Sequence, residues 1–371
     1  LFLTATPHNG YTQSFTSLLE LLDDQRFSRN IVPDQKQLAQ VMVRRLKTDL
    51  TDKDGNRIFP TRNLKALEVP YTKEERAIHR KLVEYCESRE ETCKGSGTRG
   101  TWFINGLLKK RLFSSPAAFA STLEKHVAAL EGRREEKATP MEDRILRKAI
   151  LKAEEDYADD RKAEDAQLEA LEEATKHEVA LTDDEQTMLK ELRSWAQINK
   201  DRADSKANAI IEWIEENLKT DGEWNDRRVI LFTEYRTTHE WLRQILVAND
   251  YGGDRLAILH GGMDQEKERE PVKAAFQTDP KESAVRILLA TDAASEGIDL
   301  QNFCHYMIHL EIPYYPNVME QRNGRIDRWG QKQKKVNWPG AAFECSMSLV
   351  GLPCPATALS CARATVPPTW Q

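Results

Sequence analysis

Apolar positions recur along this chain with two different periods, and the change between them divides it. From Leu1 to about Pro70 an apolar start breaks at Pro7 to Gly10, an amphipathic helix is predicted around Phe15 to Leu22, and a basic knot follows at Arg44-Arg45-Leu46-Lys47. From Tyr71 to about Asp204 the spacing is almost wholly helical. Thr72 with Glu75, and Thr182 with Glu185, fit the capping box, a hydroxyl followed three residues later by Glu. Met141 to Trp195, rich in Ala, Glu, Lys and Leu, predicts long surface helices or a coiled hairpin. From Ser205 to about Lys335 the period shortens. Val229–Phe232, Leu256–Leu259, Val285–Leu289 and Tyr306–Ile308 are continuous apolar runs, predicted to be strands buried on both faces. Helical stretches at Thr237 to Val247 and Gln265 to Phe276 separate them. Alternating strands and helices predict a doubly wound α/β parallel sheet, with ligands at the carboxyl ends of its strands. From about Val336 charge and periodicity vanish while Cys345, Cys354, Cys361 and several prolines appear. Residues 336–371 are therefore expected to be an atypical tail, disordered or frameshifted, outside the fold.

Composition narrows the class. The 371 residues are 40% hydrophobic and 31% charged, ordinary for a water-facing protein with much solvated helix. No apolar run reaches eighteen residues, which predicts no membrane partner, and the compartment is read as cytoplasmic. A net charge of −6 excludes a uniformly basic coat but not a local basic groove. Cys86, Cys93 and Cys304 lack metal-ligand spacing, so no metal site is expected.

The chemistry concentrates in Gln321-Arg322-Asn323-Gly324-Arg325-Ile326-Asp327-Arg328-Trp329-Gly330-Gln331. Arg325 and Arg328, three apart, are expected on one face of a helix after the fourth strand. Guanidinium suits phosphate because it stays charged and presents a planar fork of donors. Earlier stand Thr291-Asp292-Ala293-Ala294-Ser295-Glu296-Gly297-Ile298-Asp299, a small-residue loop leaving the third strand, His260-Gly261-Gly262, and the opening Thr4-Ala5-Thr6-Pro7. Two other patterns carry no chemistry. Gly95-Ser96-Gly97-Thr98-Arg99-Gly100 spells a dinucleotide fingerprint, but no strand precedes it. Asp183-Asp184-Glu185-Gln186 follows Thr182 and reads as a helix cap.

In this order the segments resemble motifs of superfamily-two helicases. Thr4 to Pro7 resembles motif III, Ile230 to Thr233 motif IV, the Thr291 to Asp299 loop motif V, and Gln321 to Arg328 motif VI. The closing Arg-Trp-Gly-Gln and the helical insertion resemble the Swi/Snf-type translocases, including bacterial RapA-like and phage-defence helicase-like members. The resemblance covers Leu1 to about Lys335. It implies a RecA-like parallel sheet, the C-terminal helicase lobe, over 205–335. Residues 1–70 would end the first RecA-like lobe, and 71–204 would be a long helical insertion.

The same resemblance implies roles. Arg325 and Arg328 match arginines that contact the γ-phosphate of ATP, with Arg328 as the finger. Gln321, Gly297, Asp299, Thr4 and Thr6 match positions that bind nucleotide or couple its hydrolysis to movement. Thr291 and Ser295 match positions facing nucleic-acid phosphates. ATP and Mg2+ are the cofactors implied for an intact enzyme. Duplex DNA and a first RecA-like lobe are the implied partners, and the insertion is a candidate dock for a protein. The sequence starts at motif III and nowhere contains G-x-x-x-x-G-K-[ST]. The chain alone is therefore expected to hold no cofactor tightly and to hydrolyse ATP poorly or not at all. The alternative is a non-catalytic fragment, left by truncation, that binds nucleic acid or a partner. A further alternative is a RapA-like factor acting on RNA polymerase.

Overall fold

The computed structural model describes residues 1–3, 12–43, 45–94, 98–132, 140–153, 155, 157, 159–176, 178–292, 299–313 and 316–343. Helices α1 (Thr12–Leu22) and α2 (Gln35–Val41) precede strand β1 (Thr61–Val69). Six helices follow: α3 (Lys73–Thr92), α4 (Thr98–Ser114), α5 (Pro116–Glu131), α6 (Pro140–Ala153), α7 (Asp160–Lys176) and α8 (Asp183–Asn199). Helix α9 (Ser205–Leu218) leads through a short hairpin, β2 (Lys219–Thr220) and β3 (Glu223–Trp224), into β4 (Val229–Thr233). Then come α10 (Arg236–Ala248), β5 (Leu256–Leu259), α11 (Glu270–Gln277), β6 (Ile287–Thr291), β7 (Tyr306–His309), α12 (Pro316–Asn323) and β8 (Lys335–Phe343).

Six strands form one sheet in the order β1-β8-β7-β4-β6-β5, every neighbouring pair parallel. All four apolar runs of the sequence are strands of it. All five residues of β4 and of β6 are buried, as central strands covered on both faces require. Alternation splits them between two cores. Leu231, Leu289 and Ile308 pack with Ile214, Trp241 and Leu242 on one face. Ile230, Phe232, Leu288 and Met307 pack with Phe276 on the other.

The sheet's other edge departs from expectation. Strand β1, assigned to a first lobe ending near residue 70, pairs in this sheet with β8, Thr61 opposite Lys335. The expected start of the tail at Val336 falls inside β8, which continues to Phe343. Asn63 Nδ2 donates to Asn337 Oδ1 at 2.8 Å across this pair. Parallel pairing joins segments far apart in sequence, so neither strand announces its partner locally. Residues 344–371, including the three late cysteines, lie outside the described residues.

Both predicted capping boxes form: Thr72 and Glu75, and Thr182 and Glu185, exchange side-chain and backbone hydrogen bonds reciprocally. Helices α3 to α8 share a core of their own, with Leu82, Tyr85, Leu108, Phe119, Leu123, Leu171 and Leu192. Arg89, 1% exposed, donates to Glu178 and Glu185 at 3.1 Å each inside it. Thr175 donates to the Leu171 carbonyl at 2.8 Å, so its oxygen accepts from His126 Nδ1 at 3.0 Å, leaving Nε2 to accept from Tyr85 at 2.8 Å. Of the fingerprint-like glycines, Gly95 and Gly97 lie outside the described residues, and Thr98 to Gly100 open α4.

Candidate functional site

The carboxyl ends of β4, β6 and β7 converge with α12, and Arg322 ties them together. Its side chain, 1% exposed, donates through Nη2 to Asp292 Oδ2 at 2.6 Å and through Nε to Asp292 Oδ1 at 2.5 Å. Its Nη1 donates to the Glu311 carbonyl at 2.9 Å, and its guanidinium lies 5.6 Å from the Phe232 ring centroid. The ends of β4, β6 and β7 thus meet on one planar cation. His309, at the end of β7, donates from Nε2 to Asn323 Oδ1 at 3.1 Å, and burial pushes its pKa down to about 3.

Arg325 and Arg328 do not share a helix face: α12 ends at Asn323, and both arginines stand in the turns beyond it. Gly324 N still reaches the Glu320 carbonyl at 2.9 Å, but Arg325 N reaches only Arg322, at 3.0 Å, so the helix tightens and stops. Arg325 is buried, and its carbonyl accepts from Leu300 N at 3.1 Å. Arg328 is partly open; Nε donates to the Gly324 carbonyl at 2.8 Å and Nη1 pairs with the exposed carboxylate of Asp299. Fold and pairing therefore bring together Asp299, Arg325 and Arg328. Gln321 is exposed on α12, nearby along the chain. Thr291 has no exposed surface, and its hydroxyl donates to Asp160 at 2.5 Å, so it faces inward rather than toward a strand phosphate. Thr4, Thr6, Ser295 and Gly297 lie outside the described residues.

Asp327, between the two arginines, is buried and receives Arg62 Nε at 2.6 Å and Lys47 Nζ at 3.3 Å. Arg62 also grips Glu320 at 2.9 Å, so β1 anchors the arginine-bearing turn from the far side. Sequence reasoning passed over Arg322, Asp292, Arg62 and Asp327. Arg322, Asp292 and Asp327 were in view within the quoted segments, but only folding shows their partners. It also passed over Lys332, Lys334 and Lys335, exposed beside Trp329, which is 75% exposed. Three lysines in four positions next to a solvent-facing indole were a legible signal. Among the described residues no group of three His, Cys, Asp or Glu side chains converges to hold a metal ion. No helix of the described residues is long and apolar enough to cross a membrane.

Residues 206–330 match the helicase conserved C-terminal domain. An uncharacterized ATP-dependent helicase of Bacillus subtilis (strain 168), YqhH, is 35% identical over 136 residues, 37% of this chain and 21% of the relative. The RNA polymerase-associated protein RapA of Vibrio vulnificus (strain YJ016) is 30% identical over 123 residues, 33% of this chain and 12% of that protein. The aligned part of the chain thus spans 21% and 12% of the length of these relatives. The Sulfolobus solfataricus SWI2/SNF2 ATPase C-terminal domain aligns with a TM-score of 0.41 and 14% identity, covering 82% of this chain and 87% of that one. A likeness that distant carries no argument, and the fold rests on the sheet itself.

Proposed function

From a helicase conserved C-terminal domain over residues 206–330, in a chain similar to Swi/Snf-type helicases, we propose the following function. The protein supplies the C-terminal motor portion of an ATP-dependent DNA translocase. The observation that carries the reading is the cluster of Arg325 and Arg328 with Asp299, which Arg322 and Asp292 link to the carboxyl end of β6. In a doubly wound sheet the carboxyl edge is where ligands sit.

ATP bound against this edge would present its γ-phosphate to Arg328, the finger, and to Arg325. Gln321, Asp299 and Gly297 are assigned to nucleotide binding, and Thr4 and Thr6 to coupling hydrolysis to closure; of these, Gly297, Thr4 and Thr6 lie outside the described residues. The bound triphosphate supplies the phosphoryl-transfer chemistry. This chain's own groups contribute positive charge where negative charge develops. Among the described residues no group of three His, Cys, Asp or Glu side chains converges to hold Mg2+, so no step is assigned through the metal. The 371 residues contain no G-x-x-x-x-G-K-[ST], so the chain by itself is expected to hydrolyse ATP poorly.

The DNA grip is assigned to Ser295 and the loop around it, with Lys332, Lys334 and Lys335 as further phosphate partners. Duplex binding measured by fluorescence anisotropy over a salt series tests the reading, run beside an ATPase assay on the same protein. Expected are sequence-indifferent binding that weakens with salt, and little hydrolysis. No binding at low salt, or brisk hydrolysis indifferent to Arg328→Ala, sinks it. The separate core that helices α3 to α8 share supports a second reading, a non-catalytic role that binds a protein partner through the helical insertion. Protein capture with no affinity for DNA would select it.

A further inference from the structure

We infer that Asp160 and Glu164 are positioning residues through which the helical insertion sets the geometry of the motor's carboxyl-edge loops. The inference deepens the motor reading and, for its functional meaning, rests on it.

The two carboxylates stand one turn apart on α7, at i and i+4, and so share a face of that helix. Both are buried, at 8% and 7% exposure. Asp160 Oδ2 accepts from Gly261 N at 2.7 Å, on the turn after β5, and from the hydroxyl of Thr291 at 2.5 Å, the last residue of β6. Glu164 accepts from Thr237 N at 3.1 Å and from its hydroxyl at 2.8 Å, at the start of α10 after β4. Arg111 of α4 closes the group: it pairs with Glu164, donates to Gln167 at 3.0 Å, and stacks 3.8 Å from the Tyr235 ring centroid. One helix face of the insertion thus ties down the loops following three strands, all at the carboxyl edge.

Taking two carboxylates out of water is costly, and a helix packed only for stability would present apolar side chains there. What these carboxylates provide is direction. Each accepts two donors from a fixed point, so each defines where a loop leaves its strand. From Thr291 the connection continues without a gap. Asp292, the next residue, forms the bidentate pair with Arg322, and Arg322 begins the tight turn whose next steps are Arg325 and Arg328. A shift of α7 is therefore communicated through β6 to the two arginines by covalent neighbours and charge-assisted hydrogen bonds alone.

The test is hydrogen exchange by mass spectrometry on the full chain, comparing wild type with Asp160→Ala, Asp160→Asn and Thr291→Val. Duplex affinity is measured on the same samples. In Asp160→Ala, exchange should quicken about five- to tenfold in peptides spanning Gly261, Thr291 with Asp292, and Arg322 to Arg328, while α3 to α5 stay unchanged. Asp160→Asn, which keeps an acceptor oxygen, should restore most of the protection. Thr291→Val removes the donor instead and should give the same pattern even if Asp160→Ala fails to fold. Quickening confined to the first turn of α7, or spread evenly over the protein, overturns the inference. If the exchange pattern moves as expected while wild type binds no duplex, the DNA reading fails and the coupling stands.

Discussion

The carboxylate of Asp292 and the guanidinium of Arg322 meet side-on, at 2.5 and 2.6 Å, with Arg322 almost wholly buried. This contact joins the end of β6 to the helix that follows β7. It is the joint on which the arginine-bearing turn hangs, and it leads to the first prediction.

Arg322→Ala leaves Asp292 without its forked partner in a largely dry site and should destabilise the fold by about 3 kcal/mol. Arg322→Lys should recover only part of that, because an ammonium cannot make two parallel bonds to one carboxylate. Urea midpoints for the three proteins check this. Equal midpoints for Lys and Arg would mean that the fork has no role.

Asp299 holds Arg328 at a surface where an ion pair contributes little. Asp299→Asn should therefore free the guanidinium and tighten binding of a fluorescent ATP analogue by about two- to fivefold. Arg328→Ala should abolish that gain when combined with Asp299→Asn. An unchanged affinity in Asp299→Asn would separate Arg328 from the nucleotide.

Lys332, Lys334 and Lys335 are exposed beside Trp329, and each phosphate contact releases about 0.9 of a counterion from duplex DNA. Replacing Lys332 and Lys334 by Ala should lower the slope of log affinity against log salt by about 2. Trp329→Ala should weaken binding without altering the slope. A slope that survives the double substitution places the grip elsewhere.

Stability should be greatest near neutrality. His126, His239 and His309 are buried, and burial pushes each down to about 3 from 6.5. Between those values the unfolded chain binds more protons, so their contribution is complete above pH 6.5 and is lost as pH falls toward 3. Each costs about 1.4 kcal/mol per pH unit in that window. Glu311 acts oppositely: burial beside Glu234 raises it to about 7 from 4.5, against the pull of Lys206, Ser114 and Arg322, so its contribution fades as pH rises between those values. Three groups outweigh one below pH 6.5. Thermal melts from pH 4 to 8 should show steep loss on the acid side, and His126→Gln should flatten it.

Local physics made much of this protein readable from its residues. Val229 to Phe232 and Ile287 to Ala290 are apolar at every position, as a strand covered on both faces requires. Thr72 and Thr182 announced helix starts because a cap needs only residues three apart. The arginines were visible because guanidinium next to glycine is a chemical statement in any fold. What the residues left open was who meets whom. Strand β1 joins β8 across most of the chain, and Arg62 reaches Asp327 from there. Asp160 and Glu164 look like an ordinary solvated helix face until α7 is laid against the sheet. Arg325 and Arg328 were placed on a helix that, once packed, ends before them. Hydrophobic period and capping are properties of neighbours in sequence. Parallel pairing, buried charge and the end of a helix under load depend on groups that only the tertiary structure brings within hydrogen-bond reach.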